Sequence, residues 1–348
     1  MNGPPAVEPL PYTPETVEAA LGRAWAATLI SAYDWMTLAR TLDARMQALQ
    51  RQGRVGFYGA ATGQEAVNVA AGLVSTKDDW VFPGLREQLV ALVRGHPLGV
   101  YVHHVFADDL DPARGRNMPC HPTARDVQYV SMSSVIGTQI SQAAGLAYAL
   151  RRKRADGVAF GFFGDGATSA NDFHAGLNFA GVFRVPAVFV CTNNQWAISI
   201  PVARQTRVAT LAEKARAYGF RGERVDGTDF IAAYATLRDA RNRVRAGEAP
   251  ELVEFLLYRM TPHSSSDDPR RYQPETWAAD AARHDPVLRL ESWMAENGLL
   301  TPAIREEAVR RADALVRAAV EAAEATAAPS VASLTEDVYA SPVSPPPT

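Results

Sequence analysis

The sequence predicts an α/β domain: a mostly parallel sheet flanked by helices, with helical additions at both ends. Three observations predict it. Two apolar runs of strand length, VAFGFF at 158–163 and AVFVCT at 187–192, stand on either side of one helical stretch at 173–183. A strand, a helix and a second strand in so short a span make a βαβ unit, and such crossovers join parallel strands. Further candidate strands at 223–226 and 252–258 alternate with helical stretches at 208–218 and 229–246, which continues the same pattern.

The remaining elements follow in chain order. Residues 1–15 carry five prolines in a polar setting and are expected to form an extended arm. From 16 to 52 the pattern is helical, with Trp25, Leu29, Tyr33 and Met36 on one face, as a 3.6-residue period requires. The piece 56–74, GFYGAATGQEAVNVAAGLV, reads as a glycine-rich loop feeding a helix of small residues. Small side chains let helices approach closely, which suits a core or dimer contact. A helix at 138–154 precedes the first strand, and 285–327 is mostly Ala/Arg/Glu-rich helix. The tail 341–348, SPVSPPPT, reads as flexible. The expected organisation is an arm at 1–15, one α/β domain at 16–340, and the tail.

Composition removes several function classes. With 35 basic and 38 acidic residues the net charge is −3, which gives no support for a nucleic-acid or anionic-membrane surface. No apolar stretch approaches the roughly 18 residues that a membrane span needs. The N-terminus lacks a basic segment followed by an apolar run, so no secretory signal is expected. The two cysteines, Cys120 and Cys191, lie far apart and suit a reduced, cytoplasmic setting.

The chemistry gathers at the strand ends. The run 158–163 ends in Gly164-Asp165-Gly166, and after 26 further residues the next strand ends in Asn193-Asn194. Ligands in open parallel sheets bind at the carboxyl ends of strands. A βαβ unit sets its two strand ends side by side, so Asp165 and Asn194 are expected to meet. A carboxylate, an amide oxygen and a backbone carbonyl are hard oxygen ligands suited to Mg²⁺, which keeps positions for phosphate and water. The following helix turns its N-terminus toward the same place, favouring phosphate. GDG alone is a weak signal and reads as a tight turn with a helix cap at Thr168 or Ser169. GDG, 26 residues and NN, with strands behind both, reads as a metal–diphosphate clamp.

This spacing resembles the thiamine-diphosphate motif. The flanking text GDGATSANDFHAGLNFA and NNQWAIS resembles the alpha subunit of heteromeric 2-oxo acid dehydrogenases, over roughly residues 20–340. The resemblance implies the thiamine-diphosphate-binding fold, with thiamine diphosphate and Mg²⁺ as cofactors. It assigns Asp165, Asn194 and the backbone oxygen of Trp196 to the metal, and Gly164, Gly166 and Ala167 to the cofactor. In FPGLRE, at 82–87, Arg86 matches the family's diphosphate arginine; a guanidinium fork matches phosphate oxygens. In SMSSVIGTQISQA, at 131–143, Ser134 and Ile136 match positions that touch the cofactor. Ser133, Thr138 and Gln139 match positions that bind a structural K⁺ in some relatives. In TPHSSSDDPRRYQP, at 261–274, His263 matches the histidine that serves acyl transfer to lipoamide, and Ser264 a regulatory phosphorylation position. No kinase follows from the sequence.

Departures from the family pattern are Leu85 for the usual aromatic, Val135 for a proline, Trp196 for a tyrosine, and Thr192 where some branched-chain relatives have an arginine for the diphosphate. Histidines 96, 103, 104, 121 and 174 show no zinc spacing. His121 lies in a segment the family places near the active-site entrance. Activation of the cofactor needs a glutamate at its pyrimidine ring. Glu65 and Glu87 match segments with other purposes, and in relatives the beta subunit supplies it. The resemblance therefore implies an α₂β₂ tetramer that serves the lipoyl domain and core of a dihydrolipoyl acyltransferase. TPHSSSDDP resembles branched-chain enzymes more than pyruvate enzymes. Pyruvate or acetoin enzymes, and a non-catalytic subunit of the same fold, remain alternatives. A nicotinamide site would want G-x-G-x-x-G after the first strand, which GFFGDGATS does not supply.

Overall fold

The computed structural model describes residues 6–264 and 266–336. The rest of the expected arm, 1–5, and the expected tail lie outside them. Among the described residues seven strands are present: β1 (Trp80–Phe82), β2 (Ala159–Gly164), β3 (Ala187–Asn193), β4 (Trp196–Ala197), β5 (Ile200–Pro201), β6 (Arg221–Asp226) and β7 (Glu251–Leu256). The helices are α1 (Pro14–Leu21), α2 (Trp25–Arg51), α3 (Glu65–Val74), α4 (Gln88–Val93), α5 (Leu98–Phe106), α6 (Thr138–Lys153), α7 (Asn171–Phe183), α8 (Phe230–Arg245), α9 (Trp277–Arg283), α10 (Pro286–Glu296) and α11 (Pro302–Glu324).

The main sheet is five-stranded, in the order β1-β2-β3-β7-β6, and every pairing in it is parallel. Alternate side chains of β2 and β3 face opposite layers, as the pleat requires. Phe160, Phe162, Val188 and Val190 join the core shared with α2, α3 and α8. Phe163, Ala187, Phe189 and Cys191 join the core shared with α6 and α7. Gly161 permits the close seating of α6, since a Cβ there would stand 3.1 Å from that of Ala143. Strands covered on both faces read as unbroken apolar runs, which is why β2 and β3 are legible in the sequence.

Several expectations need correction. The helix expected at 16–52 is two helices, broken at Gly22, whose φ of 87° is left-handed backbone. The first begins earlier, at Pro14, because Thr13 and Thr16 form a capping box. Pro14 and Glu15 of the expected arm are therefore helical. The preceding residues are tied down: Trp293 Nε1 donates to the Tyr12 carbonyl at 2.9 Å, and Tyr12 Oη donates to Asp229 at 2.8 Å. The expected helix at 285–327 divides at Gly298, φ 72°. Asp285 and Thr301 each cap a new helix with proline at its start. The segment expected as a helix at 208–218 is a 3₁₀ run, Leu211–Tyr218. The Glu254 carboxylate on β7 accepts from Ala212 N at 2.9 Å, holding this run on the sheet. Strand β1 and the β4–β5 hairpin were not foreseen; three- and two-residue strands carry too little periodicity.

Candidate cofactor site

The register of the sheet aligns the two motif loops. Gly164 on β2 is paired with Thr192 on β3, so Asp165 leaves one strand end beside the Asn193-Asn194 exit of the other. The loops then touch. A Cβ on Gly166 would stand 2.7 Å from the Cβ of Ala197 on β4, closer than any side chain tolerates. Glycine at 166 is what lets the aspartate loop and the asparagine hairpin close on each other.

Asp165 is buried, and Gln205 Nε2 donates to its Oδ2 at 2.9 Å. Burial raises this carboxyl to about 6, the response of an acid removed from water. Asn194 is also buried and its Oδ1 accepts from Trp196 N at 3.3 Å. Its neighbour Asn193 is structural: Nδ2 donates to Glu254 at 2.7 Å, and Oδ1 accepts from Gln195 N at 2.9 Å. The Trp196 carbonyl accepts from Arg259 Nη1 at 3.3 Å. A carboxylate, an amide oxygen and a backbone carbonyl on two touching loops are oxygen ligands of the kind that fits a hard divalent cation. After Asp165 the chain makes a 3₁₀ turn to Ser169 before α7 begins at Asn171. The N-terminal end nearest the aspartate is thus that of the turn, not of α7 as expected.

Arg86 and His263 come together from distant segments. Arg86 is buried; its Nη2 donates to the His263 carbonyl at 2.8 Å and lies 3.4 Å from His263 Nδ1. Its Nη1 donates to the Ala60 carbonyl. Burial, then the guanidiniums of Arg86 and Arg259, lower His263 to about 4, so the imidazole is neutral at physiological pH. Nδ1 faces a cation that only donates, which leaves the ring proton on Nε2.

In the 131–139 loop Ser134 and Ile136 are exposed, and the Ser134 hydroxyl lies 2.5 Å from His121 Nε2. That contact joins the entrance segment to this loop. Gln139 is buried: Nε2 donates to the Phe162 carbonyl at 2.9 Å, while Oε1 has no partner. An orphaned buried acceptor at that position fits a monovalent cation held with Ser133 and Thr138. Thr192 is buried and directed at Glu87 at 3.4 Å. Glu65 is held by Arg40 and by Gly63 N. Glu87 is buried and raised to about 7 by desolvation. The remaining histidines are paired elsewhere: His96 with Asp126, His103 with Asp108, His104 with Asp111, His174 with Tyr218 and His284 with Glu8. Among the described residues no group of three His, Cys, Asp or Glu side chains is assembled for a metal.

Sequence reasoning missed Arg259. It is fully buried, and its Nη2 donates to the Ile198 carbonyl at 2.9 Å and to Tyr272 Oη at 2.6 Å. Tyr272 Oη donates to Asp267, which also accepts from His263 N at 2.7 Å. One arginine thus ties the β4–β5 hairpin to the histidine loop. The available signal was a lone arginine just past the apolar run 252–258. Gln205 was also missed, and nothing in its local sequence marks it.

The match to known proteins agrees with this geometry. Residues 33–332 match the family described as "Dehydrogenase E1 component". The chain belongs to the dehydrogenase E1 component family. That family is thiamine-diphosphate dependent, and the parallel sheet with its flanking helices is its α/β fold. The chain is 42% identical over 289 residues to the 3-methyl-2-oxobutanoate dehydrogenase subunit alpha of Mycobacterium tuberculosis, covering 82% of this chain and 75% of the relative. It is 38% identical over 312 residues to the mitochondrial 2-oxoisovalerate dehydrogenase subunit alpha 1 of Arabidopsis thaliana, covering 88% of this chain. The match spans 65% of that plant relative's length. The pyruvate dehydrogenase E1 component subunit alpha of Staphylococcus aureus is 38% identical, covering 89% of this chain and 82% of the relative.

Proposed function

We propose that this chain is the alpha subunit of a 2-oxo acid dehydrogenase decarboxylating component, holding the Mg²⁺–diphosphate end of thiamine diphosphate. The observation that carries the reading is the close approach of the Asp165 and Asn194 loops, enforced by Gly166 against Ala197. Bound thiamine diphosphate supplies the nucleophile and electron sink for decarboxylation.

The chain's own residues bind and orient. Asp165, Asn194 and the Trp196 carbonyl would take Mg²⁺. Gly164, Gly166 and Ala167 expose backbone to the cofactor, and Arg86 provides the cationic fork for the diphosphate. Ser134 and Ile136 form the exposed wall on which the rings would rest. His263, neutral with its proton on Nε2, can donate at that nitrogen during acyl transfer to a lipoyl group. Ser133, Thr138 and Gln139 form the K⁺ candidate. The two glutamates of the motif segments, Glu65 and Glu87, are engaged in the interior and are not offered to the pyrimidine. This supports a partner beta subunit in an α₂β₂ tetramer and delivery to a dihydrolipoyl acyltransferase. Two buried, unpaired cysteines suit a cytoplasmic enzyme; among the described residues no helix is long and apolar enough to cross a membrane.

Branched-chain 2-oxo acids are the favoured substrates, on TPHSSSDDP and on the names of the Mycobacterium and Arabidopsis relatives. Pyruvate is the second reading, favoured by the Staphylococcus relative. Turnover of 3-methyl-2-oxobutanoate and of pyruvate by the co-produced α/β complex tests both. Preference for the branched acid supports the first. Decarboxylation by the alpha chain alone would contradict the shared-site reading.

A further inference from the structure

A buried carboxylate outside the site just described is connected to it through a short loop. Asp43 lies on α2, is 2% exposed, and accepts two hydrogen bonds. Tyr58 Oη donates to Oδ1 at 2.8 Å, and Thr62 Oγ1 donates to Oδ2 at 2.7 Å. Among the described residues these hydroxyls are its hydrogen-bond partners; the nearby Arg40 is occupied by Glu65 and Asp285. The two donors bracket Ala60, whose carbonyl accepts from Arg86 Nη1. The far end of the same loop meets the segment that runs from β7 to His263. The Thr62 carbonyl accepts from Met260 N at 3.3 Å, and a Cβ on Gly63 would stand 2.0 Å from the Tyr258 carbonyl.

Burying a carboxylate with no cation in contact is costly, and two hydroxyl donors only partly offset it. Such a group persists where its geometry is used. Here one carboxylate fixes both feet of a five-residue arch whose apex is a ligand of the arginine. An arginine fork recognises phosphate only when its plane is held, and the Ala60 carbonyl sets one side of that plane.

We propose that Asp43 is a positioning residue: it pins Tyr58 and Thr62 so that the Ala60 carbonyl holds Arg86 in the orientation that receives a diphosphate. This rests on the cofactor reading above. Asp43 itself touches neither cofactor nor substrate.

The test is a mutant cycle on the co-produced α/β enzyme, titrating thiamine diphosphate with Mg²⁺ by calorimetry. Asp43→Asn, Tyr58→Phe and Thr62→Val are made singly, and Asp43→Asn and Thr62→Val also in an Arg86→Ala background. Asp43→Asn is expected to weaken binding about tenfold, the scale of losing a partner that orients a ligand-binding group. With Arg86→Ala already present, no further loss is expected. Thr62→Val, at a half-buried hydroxyl, keeps the test alive should Asp43→Asn fail to fold. Unchanged affinity in the folded variants overturns the proposal. So does an equal loss in both backgrounds, since that marks a general packing role. If Arg86→Ala alone leaves affinity unchanged, the cofactor reading fails first and takes this inference with it.

Discussion

Arg86 and His263, 177 residues apart in the chain, are joined by a 2.8 Å hydrogen bond from the guanidinium to the histidine carbonyl. The same guanidinium lies 3.4 Å from Nδ1. The two side chains to which the proposed function gives diphosphate binding and acyl transfer are thereby one unit, and burial, then this guanidinium, lower the proton affinity of the imidazole.

The first consequence concerns pH. His263 is held at about 4, below the roughly 6.5 of a free imidazole. Between those values the unfolded chain binds the proton and the folded chain does not, so this group's contribution to stability is full above 6.5 and is lost as pH falls toward 4. Activity limited by His263 is expected to show no acidic limb between pH 5.5 and 7.5. NMR titration of the imidazole checks it; a midpoint near 6.5 in the folded protein would contradict the contact with Arg86.

Asp165 has the opposite sign. Its carboxyl is raised to about 6, so its ionisation disfavours the metal-free fold as pH climbs from about 4 through 6. Asp165→Asn is expected to stabilise the metal-free protein at pH 8 by on the order of 2 kcal/mol. It is also expected to abolish the stabilisation given by Mg²⁺ with thiamine diphosphate. Thermal unfolding with and without both ligands reads the two effects together.

Gly166→Ala places a methyl group 2.7 Å from Ala197 Cβ. Overpacking of this kind costs about 1–3 kcal/mol, and here the relief must come from parting the two motif loops. The variant is expected to bind thiamine diphosphate at least about tenfold more weakly than its loss of thermal stability alone explains. Parallel calorimetry and melting curves decide it.

Arg259→Met leaves the carbonyls of Trp196 and Ile198 and the Asp267–Tyr272 pair without their shared cation. Removing one partner of a buried ionic network costs about 3 kcal/mol. Faster hydrogen exchange is expected at Asp267–Tyr272 and in the β4–β5 hairpin together. Acceleration in one alone would deny that Arg259 couples them.

How much of this the sequence disclosed depends on the range of the interaction. Strands β2 and β3 are apolar throughout because both faces are covered, and the motif residues sit at their ends; Asp165 and Asn194 were therefore readable from local pattern. The starts of α1, α10 and α11 had local signals too, in Thr13-Pro14, Asp285-Pro286 and Thr301-Pro302. What stayed hidden was long-range pairing. Arg259 with Trp196, Gln205 with Asp165, and Asp43 with Tyr58 and Thr62 are contacts whose partners share no period or motif. Three-residue β1 was invisible because its register is set by β2, not by its own alternation.

The central claim is that the loops of Asp165 and Asn194 hold a divalent cation with a pyrophosphate ester. Isothermal titration of thiamine diphosphate into the α/β enzyme, with Mg²⁺ and with chelator, tests it most directly. Binding that requires Mg²⁺ and disappears in Asp165→Ala is the expected result. Binding of equal strength with chelator, or in a folded Asp165→Ala protein, would contradict it.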